Sequence, residues 1–243
     1  MTADEGAVYG AKGRIGLVVP ANNSVIEPEL WSVLPEGWAA YATRILAKGD
    51  LTPGAIRRME RDAESAVEAI AATGVDVIAY CDMVTTFIME PGWNEAAVER
   101  FSRSTGTPCI SAWTALRDAL ARLGARRLAI GTPYPRAIHD TVAPFFEGRG
   151  FAVRSHATLD IVAMREVPGV GPERLAAFVG SLDLAGCDAL VLLATDLPSF
   201  GSIAALEAAH GIPVLTSNQT LLWRALSERG AAGTVRNLGR LFQ

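Results

Sequence analysis

Short apolar segments alternate with longer helix-like segments along most of the 243-residue chain. Alternation of this kind, with strands buried on both faces, is typical of parallel sheets. The predicted strands are Ile15–Val19, Val77–Tyr80, Cys109–Ser111, Leu128–Gly131, Ala189–Leu193 and Val214–Thr216. The predicted helices are Pro53–Thr73, Trp93–Thr105, Ala115–Leu123, Pro135–Arg149, Pro172–Leu182 and Ile203–His210. The pattern therefore predicts an α/β fold.

The chain also repeats itself with a period near 112 residues. Three segments return in the same order, with offsets of 113, 112 and 105: Arg14–Pro20 as Arg127–Pro133, Gly74–Tyr80 as Gly186–Leu192, and Gly106–Ser111 as Gly211–Thr216. We therefore predict two pseudosymmetric α/β domains, residues 1–120 and 121–243, each a parallel sheet flanked by helices. The C-terminal helix is expected to be free to pack back on the first domain.

Composition and charge exclude several classes of protein. The net charge is −4, so nothing favours nucleic acid or an anionic membrane as a partner. No apolar run approaches the roughly 20 residues of a membrane-spanning helix. The start, Met1–Gly13, lacks the basic-then-apolar order of a signal peptide. We expect a frayed leader on a cytoplasmic protein, and the sequence leaves a homo-oligomer open.

Cofactor motifs are missing from the sequence. The three cysteines and three histidines are scattered, without the paired spacing of metal ligands. No glycine-rich phosphate loop of the G-x-G-x-x-G type follows a predicted strand. We expect neither a metal nor a nucleotide cofactor.

The candidate site residues follow the strands. Ligands bind beyond the carboxyl ends of parallel strands, so two facing domains would place both sets of loops around one interdomain cleft. The loops to examine are Pro20–Ser24, Cys81–Thr86, Thr132–Pro135, Ala194–Ser199 and Ser217–Thr220.

Cys81 and Asp82 are adjacent titratable groups at the end of a predicted strand. A thiolate can act as nucleophile or base, and a carboxylate as base. Neighbouring side chains on an extended strand point in opposite directions, so only one of the two should face the cleft. Because a buried cysteine is common and a buried unpaired aspartate is costly, we expect Asp82 to face the cleft and Cys81 to pack inside. The reverse arrangement, through a local bulge, stays open.

The other loops each allow a binding and a structural interpretation. Asn23 can bind a carboxylate near a helix start, or only cap that helix. Tyr134 can donate to a developing oxyanion, or pack as an aromatic at a turn. Thr195 and Asp196 can bind substrate or cap the next helix. The polar run Ser217–Thr220 has more polar groups than one cap needs, which favours substrate contact.

Four segments, in order over nearly the whole chain, carry a family resemblance: Arg14–Asn23, Asp76–Asp82, Thr132–Tyr134 and Ser217–Trp223. With them the chain resembles the aspartate/glutamate racemase superfamily, in the branch of maleate cis–trans isomerase and arylmalonate decarboxylase. The resemblance implies two pseudosymmetric α/β domains, a site in the cleft between them, and no metal or organic cofactor.

The resemblance also implies roles for individual residues. Members typically carry one catalytic cysteine per domain. In this chain the first cysteine position falls on Asp82, with Cys81 one residue early, and the second falls on Ala194. The resemblance implies Asn23 and Ser217 or Asn218 at a substrate carboxylate, and Tyr134 and Thr85 near the reacting oxygen. Because they follow the predicted strands, Thr132, Ala194 and Thr195 are also expected among the substrate-binding residues.

The leading expectation is a cofactor-independent isomerase or racemase of a small carboxylic acid, resembling maleate isomerase, with Asp82 or Cys81 in the first chemical step. The runner-up is a decarboxylase or lyase acting on a malonate-like acid. Ala194 stands against it, because the cysteine that donates the proton in such an enzyme is missing. The third alternative is a catalytically inactive paralogue that binds a small acid.

Overall fold

The computed structural model describes residues 9–46 and 52–243 and contains two four-stranded parallel sheets. The first sheet consists of β1 (Gly13–Pro20), β2 (Trp38–Ile45), β3 (Val77–Tyr80) and β4 (Cys109–Ser111), in the order β2-β1-β3-β4. The second consists of β5 (Arg127–Thr132), β6 (Ala152–Thr158), β7 (Ala189–Leu192) and β8 (Val214–Thr216), in the order β6-β5-β7-β8. The two orders are equivalent, so the predicted fold class of two pseudosymmetric parallel-sheet halves is confirmed.

Helices flank both sheets. Those of the first half are α1 (Ile26–Val33), α2 (Pro53–Glu60), α3 (Ala63–Ala71), α4 (Thr85–Ile88), α5 (Trp93–Thr105) and α6 (Ala112–Leu123). Those of the second half are α7 (Arg136–His139), α8 (Val142–Glu147), α9 (Pro172–Val179), α10 (Phe200–His210) and α11 (Ser217–Ser227). Short 3-10 turns cover Met164–Gly169, Ala232–Thr234 and Arg240–Phe242. In the part of the chain that is described, no helix is both long and apolar enough to cross a membrane.

The structure differs from the sequence prediction mainly at the sheet edges. The edge strands β2 and β6 were not predicted, because both are only half-buried, whereas the opposite edge strands β4 and β8 are largely buried and were predicted. The helix predicted over Pro53–Thr73 is two helices, α2 and α3, and the one predicted over Pro135–Arg149 is α7 and α8. Residues 1–8 of the predicted leader lie outside the described residues.

The aspartate of the repeated Gly-x-Asp sequence joins neighbouring strands in the same way in both halves. Asp76 Oδ2 accepts a hydrogen bond from the Arg14 N–H at 2.8 Å, and Asp188 Oδ2 accepts one from the Arg127 N–H at 2.7 Å. The Arg127 guanidinium also pairs with Asp188 at 2.6 Å and holds the pKa of that carboxyl well below its ordinary value. The repeated aspartates are therefore structural and lie away from the strand ends that form the site.

The buried central strands and the C-terminal helix α11 form the contacts that join the two halves. The central strands β1, β3, β5 and β7 are buried along almost their whole length, as apolar segments covered by helices on both faces should be. The C-terminal helix α11 packs against α6, β3 and β4 of the first half as well as β8 of its own sheet. These contacts of α11 hold the two halves together, and the carboxyl ends of their central strands meet around one cavity.

Candidate active site

The strand-end loops of both halves enclose a cavity of about 40 Å³. Its polar wall consists of Asn22, Asn23 and Asp82 from the first half, and Tyr134, Thr195 and Asp196 from the second. Apolar side chains from α2 and from the turn at Met164–Gly169 close the remaining wall.

Asp82 lies two residues beyond the end of β3 and is 4% exposed. Its Oδ1 accepts a hydrogen bond from the Thr85 N–H at 2.9 Å, which fixes the carboxyl at the start of α4. Burial raises the pKa of Asp82 to about 6, and the hydrogen bonds from Thr85 and Val84 limit the rise. A carboxyl with a pKa this close to neutrality can both accept and return a proton.

Cys81 is not part of the cavity wall. Its Sγ donates to the Ala79 carbonyl at 3.1 Å, and the side chain is completely buried. Burial raises the pKa of the thiol far above its ordinary value, so the thiol stays protonated. Cys109 and Cys187, which like Cys81 lie within the described ranges, do not line the cavity either. The cavity therefore contains no thiol.

Ala194, two residues beyond the end of β7, has an unusual backbone conformation. Its φ is +107°, which L residues rarely adopt and which costs on the order of 1–3 kcal/mol. The Ala194 N–H donates to Ser217 Oγ at 3.1 Å, and its methyl group is part of the cavity wall. Strained turns of this kind cluster at functional sites. In this chain the turn presents a methyl group where the resemblance expects a thiol.

Two buried polar atoms at the cavity have no hydrogen-bond partner among the described residues: the Tyr134 hydroxyl and Asn22 Oδ1. Burial raises the pKa of Tyr134 well above its ordinary value, and the nearby Asp82 and Asp196 charges add to the rise. The phenol is therefore a permanent donor. Leaving a buried polar group unpaired costs about 1–3 kcal/mol, so both atoms are suited to bind a ligand.

Asp196 is a second carboxyl on the same cavity wall, two residues after Ala194. Burial raises its pKa to about 7, and repulsion by Asp82 contributes. The sequence offered Asp196 only as a binding residue or a helix cap. Its place beside Asp82 depends on how the two halves pack, which no local motif reveals.

Asn23 and Thr195 line the cavity but use their side chains to join the halves. Asn23 Oδ1 accepts from the N–H groups of Val25 and Ile26, at 2.9 and 3.2 Å, and so fixes the turn that leads into α1. Asn23 Nδ2 donates to Thr195 Oγ1 at 3.1 Å, and the Thr195 hydroxyl donates to the Cys81 carbonyl at 2.9 Å. The structural interpretation of Asn23 therefore applies, together with a bridging role.

Thr85 and Thr132 are buried but are not part of the cavity wall. Thr85 contributes its backbone N–H to Asp82. The Thr132 hydroxyl is 2.9 Å from Nδ1 of His139, and Nε2 of His139 is 2.9 Å from Nδ1 of His156. Neither threonine side chain contacts the cavity, so the expected substrate contacts do not follow from this geometry.

Ser217 and Asn218 also lie behind the wall. Ser217 fixes the Ala194 backbone. Asn218 Nδ2 donates to Glu29 Oε2 at 2.7 Å and to the Thr195 carbonyl at 2.9 Å. The expectation that these two residues hold a substrate carboxylate does not follow from their placement.

Glu29 is an interdomain contact that the sequence did not indicate. This α1 carboxylate of the first half accepts hydrogen bonds from the Ser199 and Phe200 N–H groups at the start of α10. The start of a helix carries a partial positive charge, which favours an anion there. Burial raises the pKa of Glu29, and these hydrogen bonds limit the rise. Its partners are 170 residues away along the chain, so no local motif signals them.

Within residues 9–46 and 52–243, no group of three or more His, Cys, Asp or Glu side chains is arranged to hold a metal ion. The site is thus built from two carboxyls, a phenol and amide groups. Two pseudosymmetric parallel-sheet halves that enclose such a site at their strand ends define the class: the aspartate/glutamate racemase-like superfamily.

The chain belongs to the arylmalonate decarboxylase family, whose family model matches residues 15–242. It is 27% identical over 242 residues to the maleate isomerase of Geobacillus stearothermophilus, covering 94% of this chain and 96% of the relative.

Two solved structures are similar over nearly the full length. One is a cysteine-to-alanine variant of the maleate isomerase of Pseudomonas putida S16 with maleate, at 26% identity and a TM-score of 0.90, covering 95% and 97% of the two chains. The other is a cysteine-to-serine variant of the Nocardia farcinica maleate cis–trans isomerase with a covalently bound succinylcysteine intermediate, at 30% identity and a TM-score of 0.89, covering 95% and 98%. These relatives confirm the expectation of an isomerase-type enzyme, and the family model keeps a decarboxylase as the runner-up.

Proposed function

We propose that this protein is a cofactor-independent isomerase of a small carboxylic acid, with Asp82 as its acid–base group and Tyr134 as the donor to the reacting oxygen. The observation that carries the proposal is that Asp82 and Tyr134 line the same cavity. A buried carboxyl whose pKa lies near 6 shares one cavity with a phenol that has no hydrogen-bond partner among the described residues. The similarity to maleate isomerases over more than nine-tenths of the chain supports the reaction class.

The proposed chemistry is a proton transfer next to a carboxyl group. A C–H bond at that carbon breaks, its proton passes to Asp82, and its electron pair moves onto the substrate carboxyl. The Tyr134 O–H donates a hydrogen bond to the oxygen that gains charge, as oxyanion donors do. Asp82, now protonated, returns a proton to the opposite face of the same carbon after the planar intermediate has turned in the cavity. When a C=C bond adjoins that carbon, the proton can instead go to the far end of this bond, and the double bond shifts. No other reactant is consumed.

Thiol addition is the alternative that the relatives suggest, since the Nocardia protein carries a succinylcysteine intermediate. Two features of this chain favour proton transfer instead. The buried Cys81 thiol donates to a backbone carbonyl, and Ala194 contributes a methyl group to the wall. A carboxylate is a poor nucleophile towards an alkene but a competent base.

Turnover in D₂O followed by proton NMR tests the proposal. The panel is maleate, an arylmalonate, aspartate, glutamate and a hydantoin. We expect an isomerised product that carries deuterium from the solvent. The Asp82→Asn variant should turn over roughly 10²–10⁴-fold more slowly, the loss expected when an acid–base group is removed. The matched control is Cys81→Ala, which changes the adjacent side chain and should keep most of the activity, as should wild-type protein treated with iodoacetamide.

Three outcomes would contradict the proposal. Activity that is lost in Cys81→Ala, with the fold preserved and Asp82→Asn active, would assign the chemistry to the thiol. Release of carbon dioxide would make the protein a decarboxylase. The absence of turnover across the panel, with binding intact, would favour a protein that only binds a small acid.

A further inference from the structure

The cavity has a charge imbalance. It holds two carboxyl groups, Asp82 and Asp196, and the described residues of its wall include no lysine, arginine or histidine. Carboxylates in a small enclosed site repel other anions strongly, because the surrounding protein screens charge less than water does. A fully ionised dicarboxylate would bring two further negative charges into this cavity. The wall is therefore a poor match for such a ligand.

The cavity wall offers a ligand both hydrogen-bond acceptors and hydrogen-bond donors. The acceptors available to a ligand are the two carboxyls and Asn22 Oδ1, which has no partner among the described residues. The available side-chain donors are the Tyr134 hydroxyl and the Asn22 amide N–H groups, while the Asn23 amide and the Thr195 hydroxyl already donate elsewhere. Such a wall suits a ligand that combines one anionic group with a hydrogen-bond donor such as an amide or an ammonium group.

We propose that Asp196 determines substrate charge: the site accepts a small acid with one carboxylate and a second, donor-bearing group, and it accepts a fully ionised dicarboxylate only with uptake of a proton. This inference rests on the proposed function, because it assumes that the small acid binds in this cavity. It goes beyond that function by naming the charge class of the substrate and a residue that selects it.

Among residues 9–46 and 52–243, few titratable groups lie around Asp196. Asp82 and Tyr134 share its cavity, and the Tyr134 phenol stays protonated. Behind Asp82, burial raises the pKa of Glu60 to about 8, and the Tyr80 hydroxyl donates to Glu60, so this side chain is largely neutral at pH 7. Arg100 acts on Glu60 and is not part of the cavity wall. Asp82 and Asp196 are thus the groups that ionise within the cavity between pH 6 and pH 8.

The size of the effect follows from proton linkage. A group whose pKa is about 7 is protonated in roughly one molecule in eleven at pH 8, and binding that requires the protonated form weakens by the same factor. Above pH 7, the affinity for a dianion should therefore fall about tenfold per pH unit for each proton taken up. The affinity for a singly charged ligand with a donor group should change much less.

Calorimetry with two isosteric probes tests the proposal, because maleamate is maleate with one carboxylate replaced by a primary amide. Titrations at pH 6, 7 and 8, in buffers of different ionisation enthalpy, measure affinity and proton uptake together.

We expect wild-type protein to take up about one proton or more with maleate and to bind maleamate more tightly than maleate at pH 8. In Asp196→Asn, maleate should bind about tenfold more tightly at pH 8, with a shallower pH dependence. The exposed Asp140→Asn, which removes the same charge from the surface, is the matched control and should behave as wild type.

Maleate binding by wild-type protein that is independent of pH and without proton uptake would overturn the charge selection. An unchanged maleate affinity in Asp196→Asn, with the fold preserved, would overturn it as well. Because binding is measured without turnover, these results are separate from the catalytic proposal. Lack of turnover on the panel would refute the catalysis while the titrations still decide the charge selection.

Discussion

The Asp82→Asn substitution should stabilise the protein above neutral pH while it removes activity. In the folded protein, burial raises the pKa of Asp82 from 3.8 to about 6. The folded state therefore binds more protons than the unfolded state between about pH 4 and pH 6. The free energy of unfolding then decreases as the pH rises through this range, because ionising the buried carboxyl favours the unfolded chain.

The magnitude follows from the same two values. Each unit of pKa difference between the folded and unfolded states corresponds to about 1.4 kcal/mol. Ionisation of Asp82 therefore lowers the free energy of unfolding of the wild type by about 3 kcal/mol at pH 8, and this loss vanishes near pH 4. The asparagine is uncharged and keeps an Oδ1 acceptor for the Thr85 N–H. At about 2–4 °C per kcal/mol for a chain of this size, Tm should rise by roughly 6–12 °C at pH 8.

Urea unfolding of the wild type and Asp82→Asn, followed by far-UV circular dichroism from pH 4 to pH 8.5, measures this difference. The exposed Asp140→Asn is the control for loss of one negative charge and should show no such trend. A variant that is less stable than wild type at pH 8 would refute the reasoning. So would a gain in stability that is the same at every pH, because it would mean that the gain does not come from the ionisation of Asp82.

Two further predictions concern the backbone around the cavity. Ala194→Gly should raise the free energy of unfolding by about 1 kcal/mol, because relief of the strained φ exceeds the entropy cost of glycine; a lower urea midpoint in this variant would contradict the strain. Asn23→Ala should lower the free energy of unfolding by about 1–2 kcal/mol through loss of the hydrogen bonds that fix the turn before α1, and an unchanged urea midpoint would show that these bonds are dispensable.

The sequence alone determined the central part of each sheet. Strands β1, β3, β5 and β7 are covered on both faces, so their residues form apolar runs that are readable without a structure. The repeat at a period near 112 residues indicated the two equivalent halves. The alternation of side chains along a strand predicted that Asp82 and Cys81 would differ in orientation, because that property depends only on local backbone geometry.

Tertiary structure decided the rest. The edge strands β2 and β6 are half-exposed, and their place is set by the sheet they join rather than by their own pattern. The sharing of one cavity by Asp82 and Asp196, and the capping of α10 by Glu29, join residues more than 100 positions apart. Local sequence carries no record of such contacts, because they form only when the halves pack. The same packing sets the burial that moves the pKa of both cavity carboxyls towards neutrality, and with it the chemistry available to the site.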